Sequence, residues 1–218
     1  MALLSYEDAE AVRSQFASKL TGPVKLIVAT SADDCLYCPE VLGLAEELAA
    51  LSEQITVAHH DLSDAAIAAY GLDKAPAIAV VAANGSGDTD YGIRFYGIPS
   101  GYEFMSLLDA IYTVGGTAPQ LQASTQAFLD TLEEDLHIQV FVTPTCPYCP
   151  RAVILAHHLA YASPRVTADM VEATEFPELS DRYQVMGVPR TVINETVHQE
   201  GAAPEAMLLQ KLRQAVTA

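Results

Sequence analysis

Two pairs of cysteines, and no others, are spaced for electron-pair chemistry in this chain: Cys35-Leu36-Tyr37-Cys38-Pro39 and Cys146-Pro147-Tyr148-Cys149-Pro150. Two thiols three residues apart can close a disulfide on each other or attack one elsewhere. A first cysteine at a helix N-terminus meets free backbone N–H groups and the positive end of the helix dipole, which favour thiolate over thiol. That makes Cys35 and Cys146 the expected attacking sulfurs near neutral pH. Cys38 and Cys149, one turn later, are the expected resolving thiols that break a mixed disulfide and release reduced substrate. Pro147 is expected at the first helical position, where a missing N–H costs nothing. Tyr37 and Tyr148 fit two readings, packing over the sulfur edge or contact with a substrate.

The elements that must hold these pairs recur. Each pair follows an apolar, β-branched run, Val24 to Thr30 and Ile138 to Thr143, and leads into helical periodicity. A proline in a strand-like context follows each pair, in Lys74-Ala75-Pro76-Ala77-Ile78 and in Gly187-Val188-Pro189-Arg190-Thr191, at nearly the same interval as the cysteines. Two features sharing one period point to a tandem duplication. Further strands are expected at Ile55 to His59, Pro76 to Ala83, Tyr91 to Tyr96, Val166 to Val171, Pro189 to Ile193 and near Val197. Helices are expected from Ser5 to Leu20, after each cysteine pair to about Ser52 in the first half, over Ser63 to Tyr70, and over Ser100 to Val114 with Ser100 and Glu103 as a capping box. The second half repeats them at Ser124 to Asp135, Phe176 to Tyr183 and Ala206 to Val216. Gly115-Gly116-Thr117-Ala118-Pro119 reads as a linker, dividing units at 1–117 and 118–218. Each unit reads α-βαβ-α-ββα. A right-handed parallel crossover and a terminal antiparallel hairpin give α/β units, each a mixed four-stranded sheet with helices on both faces.

Of 218 residues, half are hydrophobic, enough for two cores, and the formal charge is −17 from 28 acidic and 11 basic side chains. That charge argues against nucleic acid or an anionic membrane as partner. The start, Met-Ala-Leu-Leu-Ser-Tyr-Glu-Asp, lacks the basic and apolar regions of a secretory signal, and no apolar run reaches about 18 residues. A cytoplasmic location is therefore expected. Thiols are kept reduced there, so a Cys-x-x-Cys pair is catalytic or metal-binding rather than a static staple. For the prolines, the residues alone leave cis and trans open. A cis bond would present the backbone of Ala75 or Val188 to an extended substrate segment.

Strand, Cys-x-x-Cys helix and pre-strand proline together resemble the thioredoxin and glutaredoxin superfamily. Thr145-Cys146-Pro147-Tyr148-Cys149 looks like a glutaredoxin site. The duplication, with Gly97-Ile98-Pro99-Ser100-Gly101-Tyr102-Glu103-Phe104 closing the first half and Met170-Val171-Glu172-Ala173 in the second, resembles the tandem protein disulfide oxidoreductases of archaea and thermophilic bacteria. The resemblance implies two thioredoxin folds, cis bonds before Pro76 and Pro189, and two redox-active disulfides acting on disulfide-containing proteins with no bound cofactor. It also implies electrons from NADPH through a separate thioredoxin-reductase-like flavoprotein. A dedicated electron-transfer role toward a peroxiredoxin is the alternative.

Thioredoxins carry a buried acid on the strand before the site, six residues ahead of the first cysteine; here those positions are Ala29 and Val140. Asp33 and Asp34 beside Cys35 oppose its thiolate, whereas Arg151 and Arg190 are expected near Cys146 and favour it. The turn that holds glutathione's carboxylates in glutaredoxins has no clear match. A zinc-thiolate site is the main non-enzymatic rival, but zinc ribbons space their pairs by about 15–20 residues, far less than here. The pairs His59-His60 and His157-His158 are expected at the surface, since neighbouring side chains point apart. A binding module with one dead site is a further rival, against which two intact pairs argue.

Overall fold

The computed structural model describes residues 3–33, 35–85 and 87–217. Asp34, one of the two acids expected beside Cys35, lies outside the described residues.

In the first unit, helix α1 (Tyr6–Lys19) starts where Ser5 accepts a hydrogen bond from the Asp8 N–H, a cap worth about 1 kcal/mol. Strand β1 (Val24–Thr30) leads to α2 (Cys38–Ala49), β2 (Ile55–Asp61), the single turn α3 (Ala65–Ala68), β3 (Ala77–Asn84) and β4 (Gly87–Tyr96). β1 pairs in parallel with β2, from Val24↔Ile55 to Thr30↔Asp61. It pairs antiparallel with β3, from Val24↔Ala82 to Ala29↔Ala77. The strand order is β2-β1-β3-β4.

The chain then makes a 3-10 turn (Gly101–Glu103) and α4 (Phe104–Val114). The second unit repeats the plan with α5 (Ala123–Asp130), β5 (Leu136–Val142), α6 (Cys149–Ala162), β6 (Val166–Glu172), α7 (Pro177–Arg182), β7 (Arg190–Ile193), β8 (Val197–Glu200) and α8 (Glu205–Ala215). β5 is parallel to β6, ending at Val142↔Glu172, and antiparallel to β7, where Phe141 faces Arg190. β7 and β8 pair antiparallel, from Arg190↔Glu200 to Ile193↔Val197, giving the order β6-β5-β7-β8. The architecture is two tandem thioredoxin-like folds.

The compact units are not two uninterrupted stretches. The first comprises Met1–Asp90, Tyr96–Ile98 and Ile111–Ala118; the second comprises Tyr91–Phe95, Pro99–Ala110 and Pro119–Ala218. β4 and α4 therefore each give residues to both. The central strands read as apolar runs because both faces are covered: Leu26, Ile27 and Val28 in β1 and Ile138, Val140, Phe141 and Val142 in β5 are at most 1% exposed. Each such side chain contributes about 1.5–3 kcal/mol.

Two side chains expected at the surface turn inward for physical reasons. Ser100 makes no side-chain cap to the turn that follows it, because Glu103 turns inward and is 1% exposed. His157 is buried on α6, where its Nε2 lies 3.2 Å from the Arg94 carbonyl oxygen and its ring packs edge-on to Phe95. An apolar helix face accepts a histidine once one ring nitrogen is paired. Burial pushes its pKa down to about 4.

Candidate redox sites

Both cysteine pairs are closed as disulfides, with Cα–Cα distances of 5.4 Å for Cys35–Cys38 and 5.5 Å for Cys146–Cys149. β1 and β5 end just before them, so each pair lies past the C-terminal end of an interior strand. The helices begin at the second cysteine of each pair, with Tyr37 and Tyr148 as N-caps. The first cysteines therefore sit in the turn ahead of the helix, not within it. Pro147 lies in that turn as well. Pro39 and Pro150 occupy the opening helical positions that need no N–H. In each pair the first cysteine is the more accessible: Cys35 is half-buried against 6% exposure for Cys38, and Cys146 is 8% exposed against 0% for Cys149. The buried sulfur of Cys38 lies 3.3 Å from the Ser31 N–H, which donates to it.

The Ala75–Pro76 and Val188–Pro189 peptide bonds are cis. The same backbone bond braces both prolines: Gly97 N–H donates to the Pro76 carbonyl at 2.9 Å, and Gly201 N–H to that of Pro189 at 2.8 Å. Among the described residues, the backbone N–H and C=O of Ala75 and of Val188 have no hydrogen-bond partner. Tyr37 is 39% exposed, Tyr148 65% and Leu36 77%. Beside Pro189 a cleft of about 310 Å³ is lined by Met186, Gly187, Val188, Pro189, Glu200 and Gly201.

The strand positions that carry thioredoxin's acid are fully buried Ala29 and Val140. The second unit buries carboxyls by other routes, and two of them, Glu103 and Glu172, keep an unpartnered oxygen. The 3-10 turn of Glu103 packs on α6, and Tyr102 N–H donates to the Pro144 carbonyl, two residues before Cys146, at 3.0 Å. Gly101 permits this approach: its φ is +59°, and a Cβ there would lie 2.2 Å from that oxygen. Glu103 accepts a 2.6 Å hydrogen bond from Ser106 on Oε2, while Oε1 has no partner among the described residues. Burial raises its pKa to about 7 against the opposing Ser106 bond. Glu172, in register with Val142, takes 2.7 Å bonds from the Thr174 hydroxyl and Glu175 N–H on Oε2, and its Oε1 is likewise unpaired. No carboxyl is buried in the first unit among its described residues. The counterpart of Glu172 is Asp61, outside any core, its pKa lowered chiefly by hydrogen bonds from Ser63.

Neither of these two acids is legible as functional in the sequence. Glu103 sits in a capping-box pattern, which predicts a solvated side chain. Asp33 is exposed and Arg151 is exposed. Arg190 is ion-paired to Glu200 and donates to His198 Nδ1 at 3.1 Å, so its charge is already engaged. Among the described residues, no group of three or more His, Cys, Asp or Glu could hold a metal ion. No helix of the described residues is long and apolar enough to cross a membrane.

A family model for the thioredoxin domain matches residues 136–214. The chain is 32% identical to the NTD_N/C domain of alkylhydroperoxide reductase AhpF from Enterococcus faecalis, covering 96% of this chain and 99% of that one with a TM-score of 0.85. It is 26% identical to a protein disulfide oxidoreductase from Aeropyrum pernix, covering 98% and 94% with a TM-score of 0.88. It is also 27% identical over 197 residues to the F component of alkyl hydroperoxide reductase from Pseudomonas aeruginosa, spanning 90% of this chain but only 35% of that protein. The chain thus spans about a third of the length of the curated relatives it matches.

Proposed function

The chain belongs to the tandem thioredoxin-fold family of thiol–disulfide oxidoreductases, and we propose that it reduces protein disulfides by dithiol exchange at both Cys-x-x-Cys pairs, with its second site the better equipped. The observation that carries this reading is a closed Cys-x-x-Cys disulfide whose first cysteine is the more exposed, together with a cis-proline preceded by unpaired backbone, repeated in both units.

In the reduced protein, the Cys146 thiolate attacks one sulfur of a substrate disulfide. A protein–substrate S–S bond forms, the substrate S–S bond breaks, and the leaving thiolate takes a proton. Deprotonated Cys149 then attacks the Cys146 sulfur, closing the protein disulfide and releasing the second substrate thiolate, which is protonated in turn. The protein dithiol loses two electrons and two protons, and the substrate disulfide gains both. Cys35 and Cys38 do the same in the first unit. Glu103 is the group proposed to take the Cys149 proton: its pKa of about 7 suits proton exchange near neutrality, and its turn packs on the helix that Cys149 begins. The free N–H and C=O of Ala75 and Val188 pair with an extended substrate segment beside Pro76 and Pro189, and the exposed rings of Tyr37 and Tyr148 contact it.

Electrons come from NADPH through a separate thioredoxin-reductase-like flavoprotein, and the protein works in the cytoplasm. The two sequence repeats divide at 117/118, with Glu103 of the first repeat serving the second site. A second reading, delivery of electrons to a peroxiredoxin, is favoured by the match along nearly the whole chain to the AhpF domain. Dithiothreitol-dependent reduction of insulin disulfides tests the proposal. The wild-type chain is expected to catalyse it and the Cys35→Ser/Cys146→Ser chain is not. Tight stoichiometric zinc with no turnover would overturn it.

A further inference from the structure

The duplication allows the two prolines' surroundings to be compared position by position. Since Gly97 and Gly201 brace Pro76 and Pro189 through the same bond, Asp73 corresponds to Met186, Lys74 to Gly187, Ala75 to Val188 and Tyr96 to Glu200. In the first unit the place beside the proline is filled from within. The Lys74 ammonium lies 3.8 Å from the centroid of the Tyr96 ring and is ion-paired to Asp73. In the second unit the filling side chain is missing, because Gly187 has none and a Cβ built there meets nothing within 4 Å. In place of the buried Tyr96 ring stands Glu200, whose largely exposed side chain lines the cleft. What remains is the cleft of about 310 Å³, with Met186, 95% exposed, at its edge.

We propose that this cleft is a subsite for one lysine or arginine side chain of the substrate, next to the cysteine under attack, and that Glu200 sets this preference. The first unit shows the occupant's chemistry: a long alkyl chain ending in a cation that meets a carboxylate. The volume is at the lower end for ligand pockets, enough for one long side chain. The thioether of Met186 suits the alkyl stem. Glu200 binds Arg190 through Oε1 alone, which leaves Oε2 for a second cation. His198, the other group on Arg190, has its pKa lowered chiefly by burial and then by Arg190, so it adds no charge near pH 7. In the first unit Lys74 occupies the same place and leaves no room for a substrate side chain, so that site carries no such preference.

This inference rests on disulfide reduction at the second site, and its test separates the two. The full chain with Cys35→Ser and Cys38→Ser is assayed with dithiothreitol on three quenched-fluorophore disulfide peptides. They differ only in Lys, norleucine or Glu beside the target cysteine. Reduction of none of the three would sink the reductase reading itself. If they are reduced, kcat/KM for the Lys peptide is expected to exceed that for norleucine by about five-fold, the upper end for an exposed ion pair. The ratio should shrink as salt screens the pair, approach unity in Glu200→Gln, and turn toward the Glu peptide in Glu200→Lys. Being ratios within one protein, these values do not depend on how much of a variant folds. Equal rates for Lys and norleucine in the parent chain, or an unchanged ratio in Glu200→Gln, would overturn the subsite. A further chain, with Cys146→Ser and Cys149→Ser, is expected to show no Lys preference; a comparable preference there would overturn the assignment to the second unit.

Discussion

Replacing Glu103 by glutamine should change the pH dependence of stability in a calculable way. The folded carboxyl has a pKa of about 7 where 4.5 is ordinary, because burial outweighs the Ser106 hydrogen bond. Each unit is about 1.4 kcal/mol, so keeping this group ionised in the fold costs about 3 kcal/mol. The folded state holds the proton more tightly than the unfolded state. This contribution is therefore fully present below pH 4.5, is lost as pH rises through 7, and is constant above. Glu103→Gln removes the titration while keeping an acceptor for Ser106. Relative to wild type, the variant should gain about 3 kcal/mol between pH 4.5 and pH 8. Hydrogen exchange of the α6 and β5 amides in the oxidised full-length chain reads this locally in the second unit. A difference between variant and wild type that stays constant from pH 4.5 to 8 would refute the reasoning.

His157 should act in the opposite direction. Its folded pKa of about 4 lies below the ordinary 6.5, so stability is complete above pH 6.5 and falls by about 3 kcal/mol as pH drops to 4; acid unfolding of His157→Gln should lack this slope, and an unchanged midpoint would contradict it. Gly101→Ala, which forces a Cβ to 2.2 Å from the Pro144 oxygen at φ +59°, should destabilise the protein by about 1–3 kcal/mol; a thermal midpoint equal to wild type would show that the turn does not depend on glycine. In the reduced protein, Cys146 should be alkylated by iodoacetamide faster than Cys35 at pH 6, since Asp33 is near Cys35 in sequence and the cation Arg151 follows Cys149; mass-resolved labelling with equal rates, or Cys35 faster, would show that these charges do not order the sites.

The frame of both folds was legible because the cysteine pairs, the β-branched runs and the prolines repeat with one period. β1 was readable to the residue, since a strand covered on both faces is written as an apolar run, here Leu26 to Ala29 with Val24, interrupted only by Lys25 and closed by Thr30. Short elements were less legible. The helix expected over Ser63 to Tyr70 is one turn, Ala65–Ala68, because alanine-rich segments carry little periodic contrast. The helix from Ser124 stops at Asp130 rather than Asp135, as Glu133, Glu134 and Asp135 offer no apolar face to continue it. The cysteines were evident from spacing alone, but Glu103 was not. Its identity three residues after Ser100 matches a solvated cap, and only the glycine-permitted approach of Gly101 to Pro144 carries it inward. Glu200 was invisible for a similar reason: its meaning comes from the register that sets it across from Arg190 and beside Pro189.

The central claim is that the first cysteine of each pair attacks substrate and the second resolves the product. Trapping tests it most directly. Full-length Cys149→Ser chain, with Cys35 and Cys38 also replaced by serine, is reduced, freed of reductant and mixed with oxidised insulin. Peptide mapping should find a stable mixed disulfide at Cys146, whereas the same chain with Cys149 restored should release free insulin thiols and close Cys146 onto Cys149. Absence of any Cys146–insulin disulfide in the trapped chain would contradict the account.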